Sequence, residues 1–544
     1  MSASSKKKLR NAEKAMQMTE RQQAEQKEAK KLKTFSIIMV VVVVLMVAFA
    51  AFTVASTAIE NANRGKEERS HIAVSVGDHE LTAAEFNCFF IDAVSNFYSQ
   101  YGSYASLFGL DVTKALDQQY YDEAEKITWA DEFMTEAQHN VKAVYGVADE
   151  AKANGFTLSE DDVASIDSQM VMMETYAKLY GYTKTADYIQ AMYGEGCNEE
   201  ILRNYLTVCY TAQAYRASVA DGMEFTDADI QAEDAKNPAA FSNFTYNYYY
   251  LATSKFLEGG TKGEDGTTTY SDEEQAAALA AAEEAAKAIT DGVNNVQQFD
   301  LAVKALAINA ESTTAASTAC EDYSYEYVNS VIQSWVTDAS RQAGDITYIP
   351  ATTTDEDGHE TINGYYAVLF GSRNDNEMFL QNIRHILVKF EGGTTDDNGN
   401  TTYSDAEKAA AKEAAEAILA DWKAGDANED SFAALANEKS DDGNGTTGGL
   451  YENVYPGQMV TNFNDWLFDA ARQVGDTDVI ETEYGYHVMY YVGAGEQTYR
   501  EYQIENALVN EALESWYNGV VEAQTLTVAD LDHVPTGMVL SSGK

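Results

Sequence analysis

The sequence predicts an α+β protein: an N-terminal transmembrane helix, a mostly helical domain, then two tandem copies of one small α+β domain, the first degenerate. Three observations predict it. An uncharged run, "TFSIIMVVVVVLMVAFAAFTVASTAI", fills residues 34–59. The stretch from Thr82 to Gly222 contains no proline, is rich in Ala, Tyr and Met, and patterns as helix. Beyond it the chain repeats itself once, and a repeat outranks any other local signal.

Composition narrows the function. With 544 residues there is room for several domains, and an apolar fraction of 45% is ordinary for folded ones. Against 37 Lys+Arg stand 87 Asp+Glu, a net charge of -50. That field favours solubility and repels polyanions, so no nucleic acid is expected as a partner.

Residues 1–33 hold ten Lys/Arg and four Glu. The run at 34–59 exceeds the roughly 20 residues that span a bilayer. The positive-inside rule then puts 1–33 in the cytoplasm and the bulk of the chain outside a cell membrane crossed once. A cleaved signal peptide with Ser56–Ala58 as the processing site is the other reading. The long apolar part and extended basic lead favour the uncleaved anchor. No cysteine directly follows the run, so no lipid anchor is expected.

The four cysteines, Cys88, Cys197, Cys209 and Cys320, fall on the outer side, where disulfides are permitted. Cys197 and Cys209 could bridge two elements of one helical region; free buried thiols are the plainer expectation. No CxxC or Cys/His ligand spacing occurs, so neither metal nor cofactor is expected.

The helical domain is set at 72–245. It opens with "IAVSVGDHELTAAEF", a strand, a turn at Gly77-Asp78 and a helix start at Thr82. Met170, Met172 and Met173 lie in one dense apolar stretch, readable as helix core or as an adaptable surface for unfolded chains.

In the repeat, "YSDEEQAAALAAAEEAAKAI" at 270–289 parallels "YSDAEKAAAKEAAEAIL" at 403–419. Ser271 with Glu274, and Ser404 with Glu407, make Ser-x-x-Glu capping boxes. "VNSVIQSWVTDASRQAGD" (328–345) aligns without a gap to "MVTNFNDWLFDAARQVGD" (459–476), and "GYYAVLF" (364–370) to "GYHVMYY" (485–491). The copies are set at 246–378 and 379–497. Each reads strand, acidic Gly-rich loop, helices, terminal strand. The acidic loops lack EF-hand spacing and are read as solvated turns.

The second copy holds a histidine in its first strand, His385, and another in its last, His487. Strands adjacent in a sheet would bring them together. The stretches "RHILV" (384–388), "SFAALANEKSDD" (431–442), "GGL" (448–450), "GQMVTNF" (457–463) and "YGYH" (484–487), in this order, resemble the parvulin family of peptidyl-prolyl cis/trans isomerases. The resemblance implies that His385 and His487 are the paired central histidines, Asp442 their acidic neighbour and Thr482 the supporting hydroxyl. It implies that Met459 and Phe463 wall a proline pocket, with Leu450 as third wall. This chain departs from the family around Gly449, so Tyr451 could be that wall instead. Tyr484 takes the place of a smaller residue at the rim.

The first copy lacks this set. "YYLATSKF" (249–256) stands for "RHILVKF", placing a residue near Leu251 where His385 lies. Tyr366 replaces His487, Val328 replaces Met459 and Ile332 replaces Phe463. A folded, inactive copy is expected. A C-terminal segment, 498–544, begins as an amphipathic helix. The whole layout is similar to extracytoplasmic foldases of the PrsA/SurA type. That resemblance implies a chaperone-like helical domain, on which the last helix packs, and unfolded or partly folded exported proteins as partners. A non-catalytic holdase or assembly scaffold for such proteins is the alternative.

Overall fold

The computed structural model describes residues 65–540, apart from 264–265, 310–311, 313, 355–357, 397–398 and 444–446. The anchor expected at 34–59 lies outside the described residues. Among those described, no helix is long and apolar enough to cross a membrane. The chain divides into two compact units, one running up to Glu224 and resuming at Val509, the other spanning Phe225–Leu508. The second unit starts at Phe225, ahead of the first copy.

In the first unit, β1 (Ile72–Val76) pairs antiparallel with β2 (His79–Thr82). Five helices follow: α1 (Ala83–Tyr101), α2 (Trp129–Ala153), α3 (Glu160–Leu179), α4 (Thr185–Tyr193) and α5 (Glu199–Asp221). A short hairpin, β3 (Tyr120–Asp122) with β4 (Ile127–Thr128), precedes α2. Thr82, Thr128 and Ser159 start α1, α2 and α3 with capping boxes, each hydroxyl accepting from the third helical N–H. The core gathers Phe86, Phe90, Trp129, Phe133, Ile189 and Leu202. Met173 lies inside it and Met170 packs against it, while Met172 is half-buried outside the cluster.

The four cysteines are free. Cys88 Sγ and Cys197 Sγ sit 3.3 Å apart, both buried, so the thiol neighbour of Cys197 is Cys88 and not Cys209. Burial, with the adjacent thiol adding to it, holds Cys88 well above its ordinary pKa.

Late chain completes this unit. The end of α13 (Tyr499–Ala523) brings Trp516 against Tyr215, and its indole N–H donates to Glu150 Oε1 at 3.0 Å. Strand β13 (Leu526–Val528) then adds to β1, giving the order β13-β1-β2.

The second unit opens with α6 (Asp227–Lys236) and holds both copies. The first has β5 (Asn243–Ala252), α7 (Asp272–Thr290), α8 (Val296–Ala305), β6 (Thr318–Ser324), α9 (Ser330–Val336), β7 (Ile346–Thr354) and β8 (Glu360–Asn374). The second has β9 (Phe379–Lys389), α10 (Asp405–Ala424), α11 (Glu429–Lys439), β10 (Leu450–Val454), α12 (Thr461–Leu467), β11 (Thr477–Thr482) and β12 (Gly485–Thr498). The sheets are antiparallel and share one topology, β6-β5-β8-β7 and β10-β9-β12-β11. Both capping boxes form, and each glutamate reaches further. Glu274 accepts from Gly260 N–H and Glu407 from Gly393 N–H, both at 2.9 Å, tying the acidic loop to the helix start.

Register corrects one expectation. β12 sets Met489 opposite His385, and β8 sets the matching residue, Val368, opposite Tyr248. Tyr248, not a residue near Leu251, therefore stands where His385 does. The extra turn at Thr253–Phe256 in the first copy displaces the "SKF" that resembles "VKF".

One buried arginine joins the roots of both copies. Arg500, in the first turn of α13, pairs with Asp234 on α6 and donates to Pro238 O at 2.7 Å. It also donates to Phe241 O and Ser242 Oγ, both at 3.2 Å, and to Asp375 O at 3.4 Å, between the two copies.

Candidate active site

The site follows from strand periodicity. Successive side chains of a strand alternate faces. In β9, Ile386 faces α10 and α11 with Trp422 and Phe432, while Ile383 faces α12 with Phe463 and Trp466. His385 shares the parity of Ile383. In β12, Val488 and Tyr490 take the first face, Met489 and Tyr491 the second, and His487 goes with the second. Since His385 lies opposite Met489, two residues on from His487, the two histidines are diagonal neighbours on one face.

They meet at 3.0 Å between their Nδ1 atoms, with ring centroids 5.1 Å apart. His385 is 2% exposed and His487 6%. The contacts continue outward on both sides. His385 Nε2 lies 3.0 Å from Asp442 Oδ2, and His487 Nε2 lies 2.8 Å from Thr482 Oγ1. The Tyr451 hydroxyl donates to Asp442 Oδ2 at 2.5 Å.

One assignment of protons makes the contacts at His487 donor to acceptor on both sides of its ring. Thr482 O–H donates to His487 Nε2 and His487 Nδ1–H donates to His385 Nδ1, while His385 Nε2 lies at ion-pair distance from Asp442 without hydrogen-bond alignment. Thr482 Oγ1 also accepts the Tyr484 N–H at 3.2 Å, across the β11–β12 turn. The network is sealed at its histidine end and opens to solvent at Asp442, whose side chain is 31% exposed.

Apolar walls flank it. The Phe463 ring meets both imidazoles edge-on, at 5.4 Å from each centroid. Met459, Phe463 and Tyr451 are buried in one cluster with Ile383. Helix α12 is braced by Trp466, over which the Arg472 guanidinium stacks at 3.8 Å. Tyr484 is 58% exposed, at the rim. The third wall is Tyr451, opposite Ile383 in β10; Leu450 lies opposite Arg384, on the other face. The strand alternation thus corrects the assignment of Leu450.

Two residues left without a role by sequence reasoning position Asp442. Ser440 Oγ accepts from Leu387 N–H at 3.1 Å, Asp441 N–H donates to Leu387 O at 2.8 Å, and Asp441 Oδ2 accepts from Lys389 N–H at 3.0 Å. "Ser-Asp-Asp" thereby docks on the free edge of β9 and leaves its last residue beside His385. The signal was three polar residues directly after a helix. Gly449 is fixed by close approach: a Cβ there would meet His385 O at 2.2 Å, and its carbonyl accepts His385 N–H at 2.9 Å. Arg384 holds this turn, donating to Thr447 O and Gly448 O at 3.0 Å each and pairing with Glu429.

The arrangement offers an apolar slot beside a fixed polar network. Such a site suits a reaction in which charge redistributes and no bond breaks.

Comparison with known proteins agrees. Residues 369–492 match the family model described as "PPIC-type PPIASE domain". Among solved structures, the chain is similar to peptidylprolyl isomerase (PrsA) from Bacillus anthracis, at 19% identity over 27% of this chain and 59% of that one, with a TM-score of 0.17. It is similar to PrsA from Bacillus subtilis, at 14% identity over 76% of this chain and 95% of that one, with a TM-score of 0.28. It is also similar to peptidylprolyl isomerase (PrsA) from Bacillus cereus, at 17% identity over 63% and 95%, with a TM-score of 0.18. No curated protein matches the chain. The TM-scores are low, so the site is read from its own geometry and the family match. Residues 369–492 of this chain are a peptidyl-prolyl isomerase domain of the PPIC, or parvulin, type.

Proposed function

We propose that the chain is a membrane-anchored foldase that isomerises X–Pro bonds in unfolded or partly folded exported proteins outside the cell. One observation carries the catalytic part: Thr482, His487 and His385 form a hydrogen-bonded row that ends 3.0 Å from Asp442, beside the wall of Met459 and Phe463. Rotation about X–Pro faces a barrier of about 18–20 kcal/mol from amide resonance. The apolar wall takes the proline ring and strips water from the amide. As the bond twists, nitrogen regains a lone pair and the carbonyl loses conjugation, and fixed dipoles matched to that state lower the barrier. The acidic surface disfavours phosphorylated substrates, since among the described residues no cluster of Arg and Lys surrounds the site. Placement outside the membrane is supported by the basic lead at 1–33 and the uncharged run at 34–59.

The test uses the full chain in detergent micelles with a proline tetrapeptide, its cis/trans exchange followed by NMR. Acceleration lost in His385→Ala with Asp442→Ala is expected. An inactive wild-type chain sinks the catalytic claim.

A holdase reading has its own support. Leu107, Phe108, Tyr104 and Tyr121 of the first unit are exposed apolar side chains, which a chain-binding surface would use. Suppression of client aggregation that survives the active-site substitutions supports it, and no suppression removes it.

A further inference from the structure

Four of the seven histidines occur as two touching pairs. One is the pair above. The other is His71 with His533, ring centroids 4.7 Å apart and tilted by 34°. The β1–β13 pairing creates it. Val74 lies opposite Val528, and the N–H groups of Ala529 and Asp530 donate to Ala73 O, which lays residues 529–533 alongside 67–73. Asp530 Oδ1 accepts from Asp532 N–H, and its Oδ2 lies 3.6 Å from His71 Nδ1. The donor atoms of His71, Asp530 and His533 all lie within 4.8 Å of one another.

A second observation points the same way. Glu68 is 7% exposed, its Oε1 lies 3.6 Å from His533 Nδ1, and its buried Oε2 has no hydrogen-bond partner. A carboxylate oxygen sealed without a donor costs free energy that a cation restores.

We propose that His71, His533, Asp530 and Glu68 form a binding site for a divalent transition-metal ion, with zinc the ion best matched. Two imidazoles and two carboxylates suit tetrahedral zinc, whereas calcium and magnesium prefer oxygen-only shells. Donors about 2.0–2.1 Å from zinc stand about 3.3 Å apart, so the donor atoms of His71, Asp530 and His533, within 4.8 Å of one another, close in by up to about 1.5 Å, with Glu68 approaching from the His533 side. His71 is exposed and Asp530 and His533 half-buried, which leaves them that freedom. Sequence spacing gave no hint, because the ligands come from opposite ends of the unit. A clip between such distant segments removes much of the unfolded chain's freedom, so the metal acts as a staple on β13.

The test titrates zinc sulfate into the metal-stripped full chain in detergent. Excess magnesium chloride is present, because a chain of this acidity attracts cations generally. Calorimetry should give one tight zinc equivalent, and thermal unfolding should shift upward with zinc. His71→Ala and His533→Ala should each weaken binding by at least about tenfold and abolish the shift. Glu68→Gln, nearly isosteric, should weaken binding while leaving the metal-free unfolding temperature in place. The double variant His385→Ala, His487→Ala should keep the equivalent. Zinc uptake fully displaced by magnesium, uptake unchanged in both alanine variants, or uptake lost with the active-site pair would each overturn the proposal.

Discussion

The two copies in the second unit share one topology and differ in what fills the space between sheet and short helix. In the second copy that space holds His385 and His487 beside Met459 and Phe463, all buried. In the first, register puts Tyr248 and Tyr366 at the histidine positions, rings 5.8 Å apart. Ala351 stands for Thr482, across from the first glycine of the last strand, and Cys320 stands for Tyr451. Val328 and Ile332 are buried with Phe244, Tyr246, Val368 and Phe370 in one cluster. The histidine–histidine and histidine–threonine links are gone, and the Tyr366 hydroxyl instead accepts from Asn329 Nδ2 at 3.3 Å. The difference teaches that the fold needs volume at these positions and does not need the histidines' polarity there.

The largest expected effect comes from converting one copy into the other. His385→Tyr with His487→Tyr should leave the second copy folded and cut proline-peptide exchange by about 100-fold or more, the scale of a removed transition-state network. Exchange within a few-fold of wild type would mean that the histidines serve only packing. The reverse change, Tyr248→His with Tyr366→His and Ala351→Thr, tested in a chain whose own second site is inactive, should produce no exchange activity, since Val328 and Ile332 stand in place of Met459 and Phe463.

Next in size, Ile332→Ala should destabilise the second unit by about 2–5 kcal/mol in a denaturant titration, the range for emptying a core position, with turnover unchanged. A loss of turnover without a loss of stability would assign the first copy a direct part in catalysis. Thr482→Ala installs the first copy's residue and removes the partner of His487 Nε2. It should lower kcat/KM by about tenfold, near 1.4 kcal/mol, measured by the same exchange experiment. The smallest effect belongs to Tyr451→Phe, which keeps the wall and deletes the bond to Asp442. A decrease of about five-fold, near 1 kcal/mol, is expected in kcat/KM, with KM nearly constant. An equal rise in KM would place that hydroxyl in substrate binding.

Much of this was legible in the chain itself. The capping boxes of α7 and α10 depend on residues three apart, and a gapless match over 328–345 announces a shared fold. His385 and His487 could be paired because both sit in end strands with clear alternation. What escaped depended on register and on distant contacts. "YNYYYLA" offers tyrosine at several adjacent positions, so nothing local marks Tyr248 as the twin of His385; cross-strand pairing decides it. Leu450 and Tyr451 differ by one place in a strand, which is one face of the sheet. The thiol contact of Cys88 with Cys197 and the grouping of His71 with His533 arise only when helices and strands far apart in sequence pack together.

The late position of α13 and β13 has a consequence in time. A ribosome makes residues in order, and domains fold as they emerge. Both copies are fully synthesised before Arg500 exists to join Asp234, Ser242 and Asp375. β1 likewise presents one open edge through the synthesis of more than four hundred residues, until Leu526–Val528 arrives to cover it. An uncovered strand edge invites pairing with any extended chain nearby. During its own biogenesis this protein therefore passes through a state in which that strand edge is open to any extended chain.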